Sequence, residues 1–161
     1  MDVVPLPTSS LAGSEDTIRL IQHRRGALRL RLLPGRLEQL RLLFQQHSFW
    51  ATTRSRRQLA KMLAGSEAVV SAWQGQRLVG FGRATSDGVF RAVLWDVVVS
   101  APLQGRGLGR SIVAELLRTP AVRGAERVYL MTTNSAGFYR RLGFDDTHRQ
   151  HLLVWHRPER S

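Results

Sequence analysis

The stretch Leu94–Arg118, "LWDVVVSAPLQGRGLGRSIVAELLR", holds an apolar run, then a loop with glycines at 105, 107 and 109, then apolar residues at helical spacing. "LWDVVVS" is rich in β-branched residues and reads as a strand. After the loop, Leu108, Ile112, Val113, Leu116 and Leu117 lie on one stripe of period 3.6, which predicts an amphipathic helix ended by Pro120. A glycine-rich turn feeding a helix N-terminus suits an anion, because unpaired N–H groups converge there and the helix dipole adds partial positive charge. A Rossmann fingerprint needs a third glycine at 110 or 112, where Arg110 and Ile112 stand, and a Walker A loop needs Gly-Lys-Ser/Thr, whereas the one lysine is Lys61. Both common nucleotide loops fail on residue identity.

Upstream, "EAVVSAW" (67–73), "RLVGFGRAT" (77–85) and "FRAVLWDVVVS" (90–100) are joined by short polar turns with glycine, which predicts an antiparallel meander with Asp87 in a turn. Before them, "ALRLRLL" (27–33) alternates apolar residues with arginine, the pattern of a half-buried strand, and Pro34 and Gly35 stop it. Leu37, Leu40, Leu43 and Phe44 predict a helix to about Gln46, and a second helix is expected from an N-cap near Thr53 to Gly65. Downstream, "RVYLMTT" (127–133) predicts a strand, "SAGFYRRLG" (135–143) a short helix, and "HLLVWHR" (151–157) a last strand. This order predicts an α/β or α+β domain around one mixed, mainly antiparallel sheet over residues 26–161, with residues 1–25 as a flexible tail.

Composition narrows the chemistry. The 161 residues contain no cysteine, which removes thiol nucleophiles, disulfides and thiolate metal sites. His47, His148, His151 and His156 show no metal-ligand spacing and there is no His-Glu-x-x-His helix, so no metal is expected. The net charge of +12 suits a polyanion, yet the arginines are scattered, and a solvated basic surface explains them equally well. Without a signal-type start or an apolar run of 18 residues, the expectation is a cytoplasmic protein that does not enter the membrane, as monomer or homodimer.

Gln104-x-x-Gly107-x-Gly109 between strand and helix resembles the pyrophosphate loop of the Gcn5-related N-acetyltransferases (GNAT), whose pattern is Q/R-x-x-G-x-G/A. The later "FYRRLGF", Phe138–Phe144, matches the family's aromatic-tyrosine element in the usual order, and the likeness runs from about Ala27 to Trp155. "LVGFGRATSD", "LWDVVV" and "QGRGLGR" are similar to the plastid and cyanobacterial branch, which includes acetylators of serotonin-type arylalkylamines and of protein lysines. For a host with plastids, the stroma becomes a possible compartment.

The resemblance implies helices on both faces of the sheet, central strands that splay apart, and acetyl-CoA as cosubstrate. It assigns the pyrophosphate to backbone amides of Gln104, Gly105, Arg106, Gly107, Leu108, Gly109 and Arg110, with the Arg106 and Arg110 side chains either contacting the ligand or facing solvent. Pantetheine would lie along the main chain of Val97, Val98 and Val99 in the manner of strand addition, and one N–H there would stabilise the tetrahedral oxyanion. Tyr139 becomes the general acid for the departing thiolate, since a phenol with a pKa of about 10 keeps its proton at neutral pH; Phe138 would pack inward. Asn134 would contact the pantetheine or a water, at a shorter spacing to the tyrosine than the family commonly has.

An amine attacks only as the free base. Asp96, placed by strand alternation opposite Trp95 and Val97, would bind the ammonium, take its proton through water, or make a structural hydrogen bond. Phe49, Trp50 and Trp73 either line an acceptor pocket or, as the preferred reading, fill the core. The acceptor would be an arylalkylamine, a protein lysine or another small amine. A CoA-binding sensor without turnover is one alternative. A basic nucleic-acid-binding domain is the other, although no aromatic-plus-basic recognition motif supports it.

Overall fold

A computed structural model of the chain describes residues 17–159. The chain divides between Met131 and Thr132 into two compact units. The first contains β1 (Ile18–His23), α1 (Leu28–Leu32), α2 (Arg36–His47), α3 (Arg56–Ala64), β2 (Ala68–Gln74), β3 (Arg77–Ser86), β4 (Arg91–Val99), α4 (Leu108–Arg118), α5 (Pro120–Arg123) and β5 (Arg127–Leu130). The second contains α6 (Ala136–Arg141). No described helix is long and apolar enough to cross a membrane.

The sheet runs β1-β2-β3-β4-β5; its first three pairings are antiparallel, as the meander predicts, and β5 joins β4 in parallel. α4 covers one face. Gly80 and Gly82 of β3 let it come close, since a Cβ on Gly80 would lie 2.7 Å from Ile112 Cδ1 and one on Gly82 2.8 Å from Ile112 Cγ2. The opposite face carries α1, α2 and α3 over a core that includes Leu40, Leu43, Phe44, Leu59, Leu63, Trp73 and Phe81. Phe44 of α2 meets Phe81 of β3 edge to face, ring centroids 5.4 Å apart. Burying each such side chain stabilises the fold by about 1.5–3 kcal/mol.

Three expectations need correction. "ALRLRLL" is helical over Leu28–Leu32, and the first strand is Ile18–His23, inside the stretch expected as a tail. Leucine and arginine are strong helix formers, and β1 already occupies the β2 edge that the alternating segment would need. The rest of the tail assignment, residues 1–16, lies outside the described residues. At the other end, residues 151–157 form no strand, and Leu152–Trp155 are exposed, because without a ladder partner an apolar run has no strand to join. The N-cap of α3 is Ser55 rather than Thr53: Ser55 Oγ accepts from Gln58 N–H at 3.2 Å while Ser55 N–H donates to Gln58 Oε1 at 2.8 Å, a full capping box.

Candidate active site

β4 has a different neighbour at each end. Residues Arg91–Leu94 pair with Arg127–Leu130 of β5, and from Trp95 onward the ladder on that side stops. On the other side Phe81 opposes Val98 and Arg83 opposes Trp95, so Asp96 and Val97 together face Gly82 in a bulge. Val98 and Val99 resume pairing with Phe81 and Gly80. The run Trp95–Val99 therefore offers main-chain groups on its β5 side without a strand among the described residues to bond them, the open edge that strand addition requires.

The loop starts where β4 ends. Gln104 Nε2 donates to the Val99 carbonyl at 3.0 Å, and Ala101 N–H donates to His47 Nδ1 at 3.1 Å, tying the loop's start to the end of α2. Gly105 and Gly107 sit at φ 75° and 84°, which glycine adopts without strain, and a Cβ on either would meet nothing within 4 Å. Gly107 is the N-cap of α4 and supplies no side-chain acceptor. The amides of Leu108, Gly109 and Arg110 precede the first helical bond, Ser111 N–H to the Gly107 carbonyl. Arg106 and Arg110 are exposed and have no ion-pair partner among the described residues. An open glycine turn, unfilled first-turn amides and two unpaired cations fit a pyrophosphate.

The bulge overturns strand alternation at Asp96, which takes φ 54°. Its carboxylate turns to Arg83, whose guanidinium also lies 5.8 Å from the Trp95 ring, so Trp95 and Asp96 share one cation rather than opposite faces. Arg83 Nε meets Oδ2 at 2.7 Å, and Arg54 Nη1 meets Oδ1 at 2.9 Å, with the Trp50 indole donating to Oδ1 at 3.2 Å. The side chain is only 5% exposed. Burial alone would raise its pKa, but the two guanidiniums outweigh that and hold the carboxyl below its ordinary range. An anion so engaged on both oxygens is a poor proton acceptor, and its role as the amine's base does not fit this geometry.

The aromatic residues divide. Trp73 is buried in the core, its indole donating to Ser71 Oγ. Phe49 and Trp50 are not core residues: they are 63% and 47% exposed and stack edge to face at 5.1 Å between α2 and α3. Trp50's bond to Asp96 brings this pair beside the β4 bulge.

The second unit is built around the end of α6. Gly143, at φ 94°, donates to the Arg140 carbonyl, and Phe144 N–H donates to the Tyr139 carbonyl at 3.1 Å. These two bonds make a Schellman motif, and the apolar contact that accompanies it is the Phe144 ring against Tyr139, 5.9 Å between centroids. The Phe138 ring meets that of Tyr139 edge to face, centroids 4.9 Å apart, and is half-buried rather than packed inward. Burial pushes the Tyr139 phenol above its usual pKa, so it stays protonated. Asn134 is exposed, its side-chain oxygen accepting from Ser135 Oγ at 3.2 Å. The sequence places Gly143 and Phe144 inside a motif; their capping geometry makes them the residues that orient Tyr139.

Residues 36–144 match the model of the acetyltransferase (GNAT) family. Over 71 residues, 44% of this chain and 31% of the relative, the chain is 42% identical to a soybean (Glycine max) protein named histone acetyltransferase. Over 69 residues, 42% of this chain and 34% of the relative, it is 46% identical to a rice (Oryza sativa) protein named serotonin N-acetyltransferase 2, chloroplastic. These matches span about a third of either relative's length. Among solved structures, a GNAT-family acetyltransferase from Streptococcus pneumoniae superposes with a TM-score of 0.69 at 24% identity, over 89% of this chain and 100% of that one; this likeness concerns the fold.

Proposed function

The chain belongs to the acetyltransferase (GNAT) family, and from that membership we propose that it moves an acetyl group from acetyl-CoA to a primary amine by direct attack within a ternary complex, with an arylalkylamine of the serotonin type as acceptor. The observation that carries the donor half is the glycine turn between an open β4 edge and an uncapped α4. In this reading, amides from Gln104 to Arg110 hold the pyrophosphate, and Arg106 and Arg110 add charge. The main chain of Val97, Val98 and Val99 takes the pantetheine, and an N–H of that run stabilises the oxyanion. Asn134, exposed before α6, adds a polar contact to the pantetheine.

Tyr139 serves as the acid. Its raised pKa favours the protonated phenol that the departing thiolate needs. Asp96 is a positioning residue: it fixes the bulge by holding Arg54 and Arg83, and the amine's proton leaves through water. No covalent acetyl-enzyme on sulfur is available to a chain without cysteine. On the acceptor side, the exposed Phe49–Trp50 pair beside the bulge favours an aromatic amine, whose ring would pack on it. The plastid name of the rice relative makes the stroma a compartment to test when the host is photosynthetic.

The test follows free thiol released from acetyl-CoA over a panel of serotonin, spermidine and lysine peptides, with Tyr139→Phe alongside; the enzyme contributes no thiol of its own. Serotonin should be fastest, and Tyr139→Phe should bind acetyl-CoA normally while turnover falls. Faster transfer to a lysine peptide would move the assignment to protein acetylation. Thermal stabilisation by acetyl-CoA without any turnover would make the chain a sensor.

A further inference from the structure

At the end of α2 away from His47, a cleft of about 340 Å³ lies between α1 and the first turns of α2 and α3. Its wall carries Arg31, Arg56 and Arg57, with Leu33, Leu37 and Glu38. Three guanidiniums around one cavity repel each other unless an anion joins them, and the chain supplies little. Glu38 is the one carboxylate among the lining residues, and Arg41, outside the cleft, already takes it through two bonds, Nη2 to Oε1 at 2.6 Å and Nε to Oε2 at 3.0 Å. Arg56 reaches Glu38 only at 3.8 Å. Among the described residues Arg31 and Arg57 have no ion-pair partner, and the buried Arg31 Nε has no hydrogen-bond partner. A buried donor left unsatisfied is destabilising, which makes this cluster incomplete as it stands.

We infer that this cleft is a second ligand site, which takes the phosphate or carboxylate of a small molecule through Arg31, Arg56 and Arg57 and packs an apolar body on Leu33 and Leu37. Guanidinium forks match both anions bidentately. The volume lies at the lower end of small-molecule pockets and suits a ligand of about one ring with its anionic group. The site is separate from the glycine loop: α2 leads from the cleft to His47, which meets Ala101 at the loop's start, and ten residues of helix span about 15 Å. It requires no assumption about the acetyl-transfer reaction.

Phenyl phosphate, benzoate and neutral phenol are titrated into the full chain with CoA present, while backbone amide shifts are followed by NMR. The first two should give saturable shifts at Leu37, Arg57 and Ala60, and phenol none. In Arg56→Ala/Arg57→Ala, exposed positions on α3, affinity should fall at least about tenfold, the scale of lost charge-assisted bonds, with CoA affinity unchanged. Equal affinity in the double variant would overturn the inference, as would shifts confined to residues 104–110 or the absence of saturation. Binding by phenyl phosphate but not benzoate would also overturn the shared-anion form stated here.

Discussion

Replacing Asp96 by Asn removes a charge while nearly preserving shape, and asparagine also tolerates the left-handed backbone that this position takes. The native carboxylate holds guanidiniums at 2.7 and 2.9 Å and is 5% exposed, whereas the Arg54 and Arg83 side chains are 31% and 15% exposed. Breaking a buried pair by removing one partner costs about 3–5 kcal/mol. Water reaches Arg54 in part and the amide oxygen keeps one bond, so a loss of about 2–3 kcal/mol is expected here. For a chain of this size that is a drop in Tm of about 4–12 °C. The carboxyl's folded-state pKa is depressed, so its stabilisation is full above the unfolded value of about 3.9 and fades as pH falls through the folded value. The melting curves of the two proteins should therefore converge in acid. The assay pairs thermal melts across pH with a pH–rate profile at a temperature where both are folded. A positioning role leaves the acidic limb of that profile, where a general base would titrate, in place. An unchanged Tm together with collapsed turnover would refute the clamp and return Asp96 to the role of base.

Gly107→Val should lower acetyl-CoA affinity by at least about tenfold through strain at φ 84° and bulk in the turn, read by calorimetry. Phe144→Ala removes the ring contact on Tyr139, worth about 0.5–1.5 kcal/mol, and should lower kcat while the KM for acetyl-CoA holds; an unchanged kcat would separate the cap from the phenol's orientation. His23, bonded to Ser71 Oγ at 2.7 Å, has its pKa lowered to about 4 by burial, then by Arg29 and Arg36. Because the unfolded chain binds this proton near pH 6.5, stability should fall by about 3 kcal/mol from pH 6.5 to 4, and His23→Gln should flatten that limb in denaturant titrations.

The meander, the glycine loop and α4 were legible because each rests on a short-range pattern that tertiary structure left alone: alternation, turn glycines and a stripe of period 3.6. "ALRLRLL" was not legible in that way, since alternating leucine and arginine satisfies a strand template while both residues favour helix, and the choice lay with Ile18–His23 at the β2 edge. At Asp96 the failure has a different origin. Alternation holds along an unbroken strand, and a bulge depends on which partner residue is skipped, information held by β3 as much as by β4. The exposure of Phe49 and Trp50 is not legible in the sequence, because hydrophobicity alone does not separate a core ring from one displayed on a loop. The "FYRRLGF" motif drew attention to Tyr139, while its last two residues show their use only through the Gly143 turn and the contact it creates.

The close seat of α4 on Gly80 and Gly82 bears on how fast and how tightly the loop would engage the proposed pyrophosphate. A helix held against bare backbone through Ile112 cannot tilt or slide without collision, so the amides at its start keep their directions before any ligand arrives. The entropy of ordering them falls on folding rather than on binding. Enlarging either glycine would then weaken the proposed anion capture at residues 104–110 without touching the loop, the mark of a rigid mount rather than a flexible flap.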